Sequence, residues 1–242
     1  MNITRKWKRA LFLGCSHGVH ADPGAIQAIL KFRESFKPQT VVHLGDFCDT
    51  TAFRSGAATS PDGGCPVQPD IDAGFEFLDQ LRPTHILCGN HEDRLWRLRE
   101  SNVAIISYAA GEVVNAIEAK AKRLKAILKP YSGIWQGVEF GGYKAMHGVM
   151  YGESATRDHA EAFGNCIHAH THRAAQATGR RYDQPIAFGV GTLTQSDNLD
   201  YAKARRSTLS WSQGFVWGEY CEDAAQFYLY QKQKNTPWIL PA

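Results

Sequence analysis

No apolar run in this chain approaches the ~18–20 residues that a membrane span requires. The run Ala10-Leu11-Phe12-Leu13 follows a basic lead, but it is shorter than the ~7–15 residues of a signal-peptide core, and no small-residue cleavage site follows. A charged lead into a buried first strand is the expected reading. Cysteine is sparse, six in 242 residues, so a secreted disulfide scaffold is excluded and a reducing, cytoplasmic compartment is expected. Charge of either sign is scarce in excess: 27 Lys and Arg against 24 Asp and Glu leave a formal +3, too mild for a dedicated nucleic-acid binder. Internal repeats, low-complexity tracts and linker-like stretches are absent, so residues 1–242 read as one domain. With 43% hydrophobic and 21% charged residues, the chain can build its own core and is not disordered.

What is present is a repeated strand–turn–helix pattern. Residues 9–14 form a short apolar run ending in Gly. Asp22-Pro23-Gly24 then opens a helix, Asp as cap and Pro in the first turn, with Ile26, Ile29, Leu30 and Phe36 at helical spacing. A second strand, 41–44, ends at Gly45-Asp46, and a third, 84–88, at Gly89-Asn90-His91. Between them, residues 52–70 are rich in Gly, Ser and Pro and read as a lid loop, with Asp70 capping a helix through Leu81. Residues 112–129 predict a longer helix inside a helical insertion at about 95–130, its Lys120, Lys122, Arg123 and Lys125 forming a solvated face. Strands are expected at 138–147, 165–169, 185–191, 214–220 and 225–231, with a helix at 154–163. The early alternation predicts a mainly parallel α/β sheet, and the later strands a second, mixed or antiparallel sheet packed on it.

Ten histidines are generous for this length, and they group at strand ends. In open α/β sheets, ligands bind beyond the carboxyl ends of the strands. There stand Cys15-Ser16-His17, Gly45-Asp46-Phe47-Cys48-Asp49 and Gly89-Asn90-His91-Glu92, then His147, then Ala169-His170-Thr171-His172. Residues i and i+2 share a face at a strand end, which pairs Cys15 with His17 and His170 with His172. Seven N, O or S donors (Cys15, His17, Asp46, Asn90, His147, His170 and His172) could together hold two cations, with a carboxylate such as Asp46 bridging both. His20, His43, His85 and His159 read as structural.

In order and together, these pieces resemble the calcineurin-like metallophosphoesterase superfamily, whose pattern runs Asp-x-His, Gly-Asp-x-x-Asp, Gly-Asn-His-Asp/Glu, a lone His, then Gly-His-x-His. The match spans residues 15–172. The resemblance implies a four-layer fold, two β-sheets packed as a sandwich between helices. It implies one metal held by Cys15, His17, Asp46 and His172, and a second held by Asp46, Asn90, His147 and His170. It also implies attack by a metal-bridging hydroxide, with His91 as the general acid and Asp49 orienting His91.

Two positions depart from the pattern: Cys15 replaces the first Asp, and Ala169 replaces a Gly. A thiolate keeps the negative charge but is soft, which favours transition metals such as Mn, Fe, Zn, Co or Ni over Mg or Ca. Asp93-Arg94 after the Gly-Asn-His-Glu string resembles the protein Ser/Thr phosphatase branch, where an Arg there grips phosphate, but Thr50-Thr51 stand where that branch has Arg-Gly. The compact chain looks more like small bacterial and phage-type members. Arg173, Arg180, Arg181, Lys203, Arg205 and Arg206, with Tyr182, Tyr201 and Trp211 nearby, offer a grip for a polyanion. The expected substrate is a phosphoester, nucleotide and nucleic acid included. The alternatives are a DNA nuclease of the same superfamily and a binding module without turnover.

Overall fold

The computed structural model describes residues 5–195 and 206–241. Two β-sheets pack face to face with helices outside. The first sheet has the order β11-β10-β1-β2-β3-β4 and the second β5-β6-β7-β9-β8. In chain order the elements begin with β1 (Lys8–Leu13), α1 (Pro23–Phe36), β2 (Thr40–His43), α2 (Val67–Leu81) and β3 (His85–Leu87). Then come α3 (Asn90–Leu98), α4 (Ala104–Leu124), β4 (Ile127–Lys129), β5 (Val138–Phe140), β6 (Tyr143–Met146) and α5 (Ala155–Phe163). The chain continues with β7 (Cys166–His168), β8 (Ala174–Thr178), β9 (Ile186–Val190), β10 (Gly214–Tyr220) and β11 (Ala225–Gln231). Among the described residues, no helix is long and apolar enough to cross a membrane.

Strand alternation sorts the core into layers. Ala10 and Phe12 of β1 face the second sheet, where Phe140, Ala145, Ile167 and Phe188 meet them. Leu11 and Leu13 face the other way, onto Ala25, Ile29 and Phe32 of α1 and Phe77 and Leu81 of α2. Phe12 packs edge-on against Phe140 of the second sheet at 5.4 Å, which ties the two sheets together, and against Phe227 of its own sheet at 5.2 Å. Helix α1 begins as its sequence predicts: Asp22 accepts from the Gly24 and Ala25 amides at 2.8 and 3.1 Å.

Several sequence expectations need correction. The strands 214–220 and 225–231 do not join the second sheet; β10 pairs antiparallel with β1 and extends the first. Hydrophobic pattern alone does not tell a strand which sheet edge it will close. The run 138–147 breaks at Gly141-Gly142, both at positive φ, into the hairpin β5–β6. Strand β8 has no counterpart in the expected set. The helix expected at 112–129 is α4, shifted toward the N-terminus, and Ile127–Lys129 instead adds β4 in parallel beside β3. Lys120 is not on a solvated face: with Arg123 it binds Asp79 of α2, at 2.9 and 2.6 Å. Residues 52–70 are not one open loop, since three short 3-10 turns (Thr51–Phe53, Ala57–Thr59 and Pro61–Gly64) lead into α2. Asp70 is a turn inside α2 and caps nothing there.

Candidate metal centre

All seven donors gather at one end of the two sheets, just past the parallel strands. Cys15 and His17 meet, but not through strand pleating. They lie beyond the end of β1, where the Cys15, His17 and Gly18 amides donate to the Gly45, Asp46 and Phe47 carbonyls, each at 2.9 Å. Cys15, His17, Asp46, His170 and His172 all adopt left-handed backbone, with φ of 54, 52, 54, 66 and 56°. Such a conformation costs an L-residue on the order of 1–2 kcal/mol, and it persists where surrounding structure enforces it, typically at functional sites. Gly89 closes the cradle: a Cβ there would strike the Asp46 carboxylate and the His147 ring.

In the first cluster, one donor atom each from Cys15, His17, Asp46 and His172 lie within 4.8 Å of one another, all four residues buried. His17 donates its Nδ1 proton to Asp49 Oδ1 at 2.8 Å. Its Nε2 lone pair therefore faces His172 Nε2 at 3.0 Å and Asp46 Oδ2 at 3.8 Å. Burial, and then neighbouring histidines, lower the pKa of both rings and keep them neutral. His172 Nδ1 is buried without a partner among the described residues. In the second cluster, Asp46, His147 and His170 donors lie within 4.8 Å. His147 donates Nδ1–H to the Leu44 carbonyl at 2.8 Å, so its Nε2 points at Asn90 Oδ1, 3.1 Å away, and Asp46 Oδ2, 3.3 Å away. His170 Nδ1 is 2.9 Å from the same Asn90 oxygen.

The His147 Nε2 lone pair thus faces two oxygens, and Asp46 Oδ2 lies near both His147 and His17, a convergence of acceptors that a cation satisfies. Without a cation the protein compensates by protonation. Burial opposes charge on His147, but Asp46 outweighs it and raises its pKa, while burial and His147 push His170 down to about 3. Burial, then the Asp46 charge, drives the Cys15 thiol well up. A cation reverses that field and favours thiolate. Imidazole, carboxylate, amide oxygen and one thiolate are a donor set suited to divalent transition metals.

Asp49 and His91 sit alongside. His91 Nδ1 donates to the Asp49 carbonyl at 2.7 Å and lies 3.2 Å from Asp49 Oδ1, while Thr51 donates to Asp49 Oδ2. His91 is in the first turn of α3, so helix geometry, not strand alternation, turns it from its neighbour Asn90. Burial opposes charge on His91, yet Asp46 and the bond to Asp49 raise its pKa.

Three supporting residues escaped sequence reasoning. Glu92, fully buried, accepts from the Asp46, Cys48 and Gly89 amides at 2.9, 3.0 and 2.8 Å. Burial and Asp46 raise its pKa to about 7. Asp70 accepts from the Asp49 amide at 3.0 Å and the Thr50 amide at 2.8 Å. Gln136 accepts from the His147 amide at 2.9 Å and donates to the Cys88 carbonyl at 2.7 Å. Glu92 at least stood inside a motif; nothing in the sequence marks Asp70 or Gln136.

The expected structural histidines include two that satisfy both ring nitrogens internally. His43 accepts from the Gly45 amide and faces Ser16, and His159 accepts from the Val149 amide and donates to the Ala155 carbonyl. The arginines expected to grip a polyanion are engaged: Arg173 binds the carbonyls of Tyr151, Gly152 and Glu153, Arg180 binds Glu161, and Arg181 binds Asp183. Trp211 packs its ring on His172 at 4.2 Å, and Tyr182 is exposed. Tyr201, Lys203, Arg205 and the Arg206 side chain lie outside the described residues. Arg94 donates to the Asp49 carbonyl at 3.0 Å, next to His91.

No curated protein compared with the chain matches it. Among solved structures, an archaeal phosphodiesterase is similar at 9% identity and TM-score 0.43, covering 93% of this chain and 99% of its own. The phosphoesterase Yfce from E. coli is similar at 15% identity and TM-score 0.39, covering 87% of this chain and 91% of its own. A hypothetical protein from Thermus thermophilus is similar at 12% identity and TM-score 0.41, covering 93% of this chain and 100% of its own. The family model described as calcineurin-like phosphoesterase matches residues 8–186, a span that begins at β1 and contains every donor of both clusters. The chain therefore belongs to the calcineurin-like phosphoesterases and is a metal-dependent phosphoesterase.

Proposed function

We propose that the chain, acting as one domain, hydrolyses a small organic phosphoester with two divalent transition-metal ions. The observation that carries this reading is the place of Asp46 Oδ2, between His17 Nε2 at 3.8 Å and His147 Nε2 at 3.3 Å. Cys15, His17, Asp46 and His172 would hold one ion; Asp46, Asn90, His147 and His170 would hold the other. Bound there, such ions supply Lewis acidity toward the phosphoryl oxygens and a hydrolytic nucleophile at neutral pH.

The remaining roles belong to the protein. His91 gives its Nδ1 proton to the Asp49 carbonyl, which leaves Nε2 to carry a second proton to the leaving oxygen. The bond to Asp49 favours the protonated ring. Asp49 orients His17 and His91 at once. The engaged state of Arg173, Arg180 and Arg181 supports a small substrate over a nucleic-acid strand.

The test is reconstitution with Mn, Fe, Co, Ni or Zn, followed by metal analysis and a panel of phosphate mono- and diesters. About two ions per chain and turnover are expected. His91→Ala should lower kcat by ~10²–10⁴-fold with both ions retained, and by less for substrates with very acidic leaving groups. Reconstituted protein that hydrolyses nothing overturns the reading. Loss of an ion from His91→Ala would instead make His91 a ligand.

A further inference from the structure

Next to the metal centre lies a cavity of about 350 Å³ that contains none of the seven donors. Residues 52–58 wall one side; α3 and the start of α4 wall the other. Its apolar surface includes Phe53, Ala58, Leu98 and Ile106. Three arginines also line it, and their charges are not equal in effect. Arg54 pairs with Asp62, and Arg97 pairs with Asp93 at 2.9 Å. Arg94 has no carboxylate within ion-pair distance among the described residues; its Nη1 donates to the Asp49 carbonyl and approaches Thr50 Oγ1 at 3.4 Å. The cavity therefore combines apolar walls with one uncompensated positive charge.

That charge marks the end nearest the chemistry. The Asp49 carbonyl that accepts from Arg94 at 3.0 Å is the one that accepts from His91 at 2.7 Å. A residue that protonates the leaving oxygen defines the side on which the leaving alcohol departs. Arg94, which lines the cavity, is one hydrogen-bonded carbonyl away from His91.

We infer that this cavity binds the leaving alcohol of the substrate, and that this alcohol has an apolar, ring-sized body and a second anionic group that meets Arg94. The substrate class is thus an organic phosphoester whose leaving group carries its own negative charge. The inference rests on the phosphoesterase reading above. Apolar walls with a few placed polar groups are the usual make-up of a small-molecule site. A guanidinium binds carboxylate or phosphate by charge-assisted, often bidentate, hydrogen bonds. Residues 52–58 then act as a wall of the substrate site.

The test has a binding arm that needs no metal and an activity arm that does. In the first, 6-hydroxy-2-naphthoate is titrated into metal-free protein and followed by its fluorescence. In the second, kcat/KM of metal-loaded protein is compared for phenyl, 2-naphthyl and 6-carboxy-2-naphthyl phosphate, which share the reacting group. The parent should bind the naphthoate, and its kcat/KM should rise along that series, on the order of tenfold for the added charge. Arg94→Met should weaken naphthoate binding about tenfold and bring the carboxynaphthyl-to-naphthyl ratio near one. Ala58→Trp, which fills the cavity from an exposed position, should bring the naphthyl-to-phenyl ratio near one. Ratios taken within one variant cancel any loss common to all substrates. Circular dichroism checks each fold, and if Arg94→Met does not fold, Ala58→Trp decides. Hydrolysis with flat ratios in the parent, or naphthoate binding unchanged in both variants, overturns the cavity assignment and leaves the phosphoesterase reading intact. Naphthoate binding without hydrolysis of any ester overturns both.

Discussion

His17 gives its Nδ1 proton to Asp49 Oδ1 over 2.8 Å, and that bond decides which nitrogen of His17 faces the Cys15 and His172 donors. A carboxylate behind a ligating imidazole fixes both its tautomer and its rotation. Here the same carboxylate also lies 3.2 Å from His91 Nδ1, so one side chain touches both a proposed ligand and the proposed general acid. Asp49 is in turn held by the Asp70 carboxylate through its amide.

The coupling makes Asp49→Asn a double lesion. An amide presents one acceptor and one donor where Asp49 serves His17, His91 and Thr51 as an acceptor only. Metal affinity should fall about 10–100-fold, the usual loss when a carboxylate behind a ligating histidine is removed. Turnover at saturating metal should also fall, because His91 is less well oriented. Chelator competition and kcat on metal-saturated protein measure the two separately. A variant that loses turnover with parent-like metal affinity would confine Asp49 to His91 alone.

Asp46 faces both clusters, whereas Asn90 faces one. Asp46→Asn should therefore reduce the metal content at both sites, and Asn90→Ala at a single site. Elemental analysis after dialysis against graded chelator distinguishes them. Equal loss of one ion in each variant would show that Asp46 does not bridge.

Much of the centre was legible because its chemistry is carried by short strings. Cys-Ser-His, Gly-Asp-x-x-Asp and His-Thr-His put donors at strand ends, and the structure brings together Cys15, His17, Asp46 and His172 from them. The reason they converge was not legible. Strand pleating was expected to aim Cys15 and His17 together, but left-handed backbone past the end of β1 does so. The partners of β10 and β11 were equally hidden, because an alternating apolar pattern fits the edge of either sheet. Asp70 was read as a helix cap because Asp often is one; its true partners are amides about twenty residues earlier, a distance that local rules do not span.

Buried neutral histidines make stability depend on pH. His43 is pushed down to about 3 by burial, and burial likewise lowers His159. In the unfolded chain each returns to roughly 6.5. Below that value the unfolded state takes up protons that the folded state refuses, so stability is complete above about pH 6.5 and is lost as pH falls toward the folded values. His43 should contribute a loss of about 1.4 kcal/mol between pH 7.5 and 5.5. Urea midpoints of metal-free protein across that range measure it. In His43→Asn the slope with pH should be shallower than in the parent; an unchanged slope would show that His43 titrates normally in the folded protein.

Cys15 is the donor that departs from the family pattern, and its setting argues that the departure is accommodated. It is fully buried, its carbonyl accepts from Thr192 Oγ1 at 2.8 Å and the Leu193 amide at 3.1 Å, and its backbone is left-handed. These contacts fix the direction of its Cβ. Sulfur needs a longer bond than oxygen, with Zn–S at about 2.3 Å against roughly 2.0–2.2 Å for carboxylate. Cys15→Asp should keep two ions while shifting preference toward harder metals such as Mn, and Cys15→Ala should lose the ion shared with His17 and His172. Because the thiol is buried, alkylation would report opening of the site more than ligation. Cobalt loading is the better probe, since a Co(II)–thiolate bond has a charge-transfer band in the near ultraviolet that oxygen and nitrogen donors lack. The parent should show that band, and both variants should lose it. Parent protein that binds two cobalt ions without the band, together with full metal content in Cys15→Ala, would reduce Cys15 to a packed thiol and leave His17, Asp46 and His172 as the first ion's protein donors.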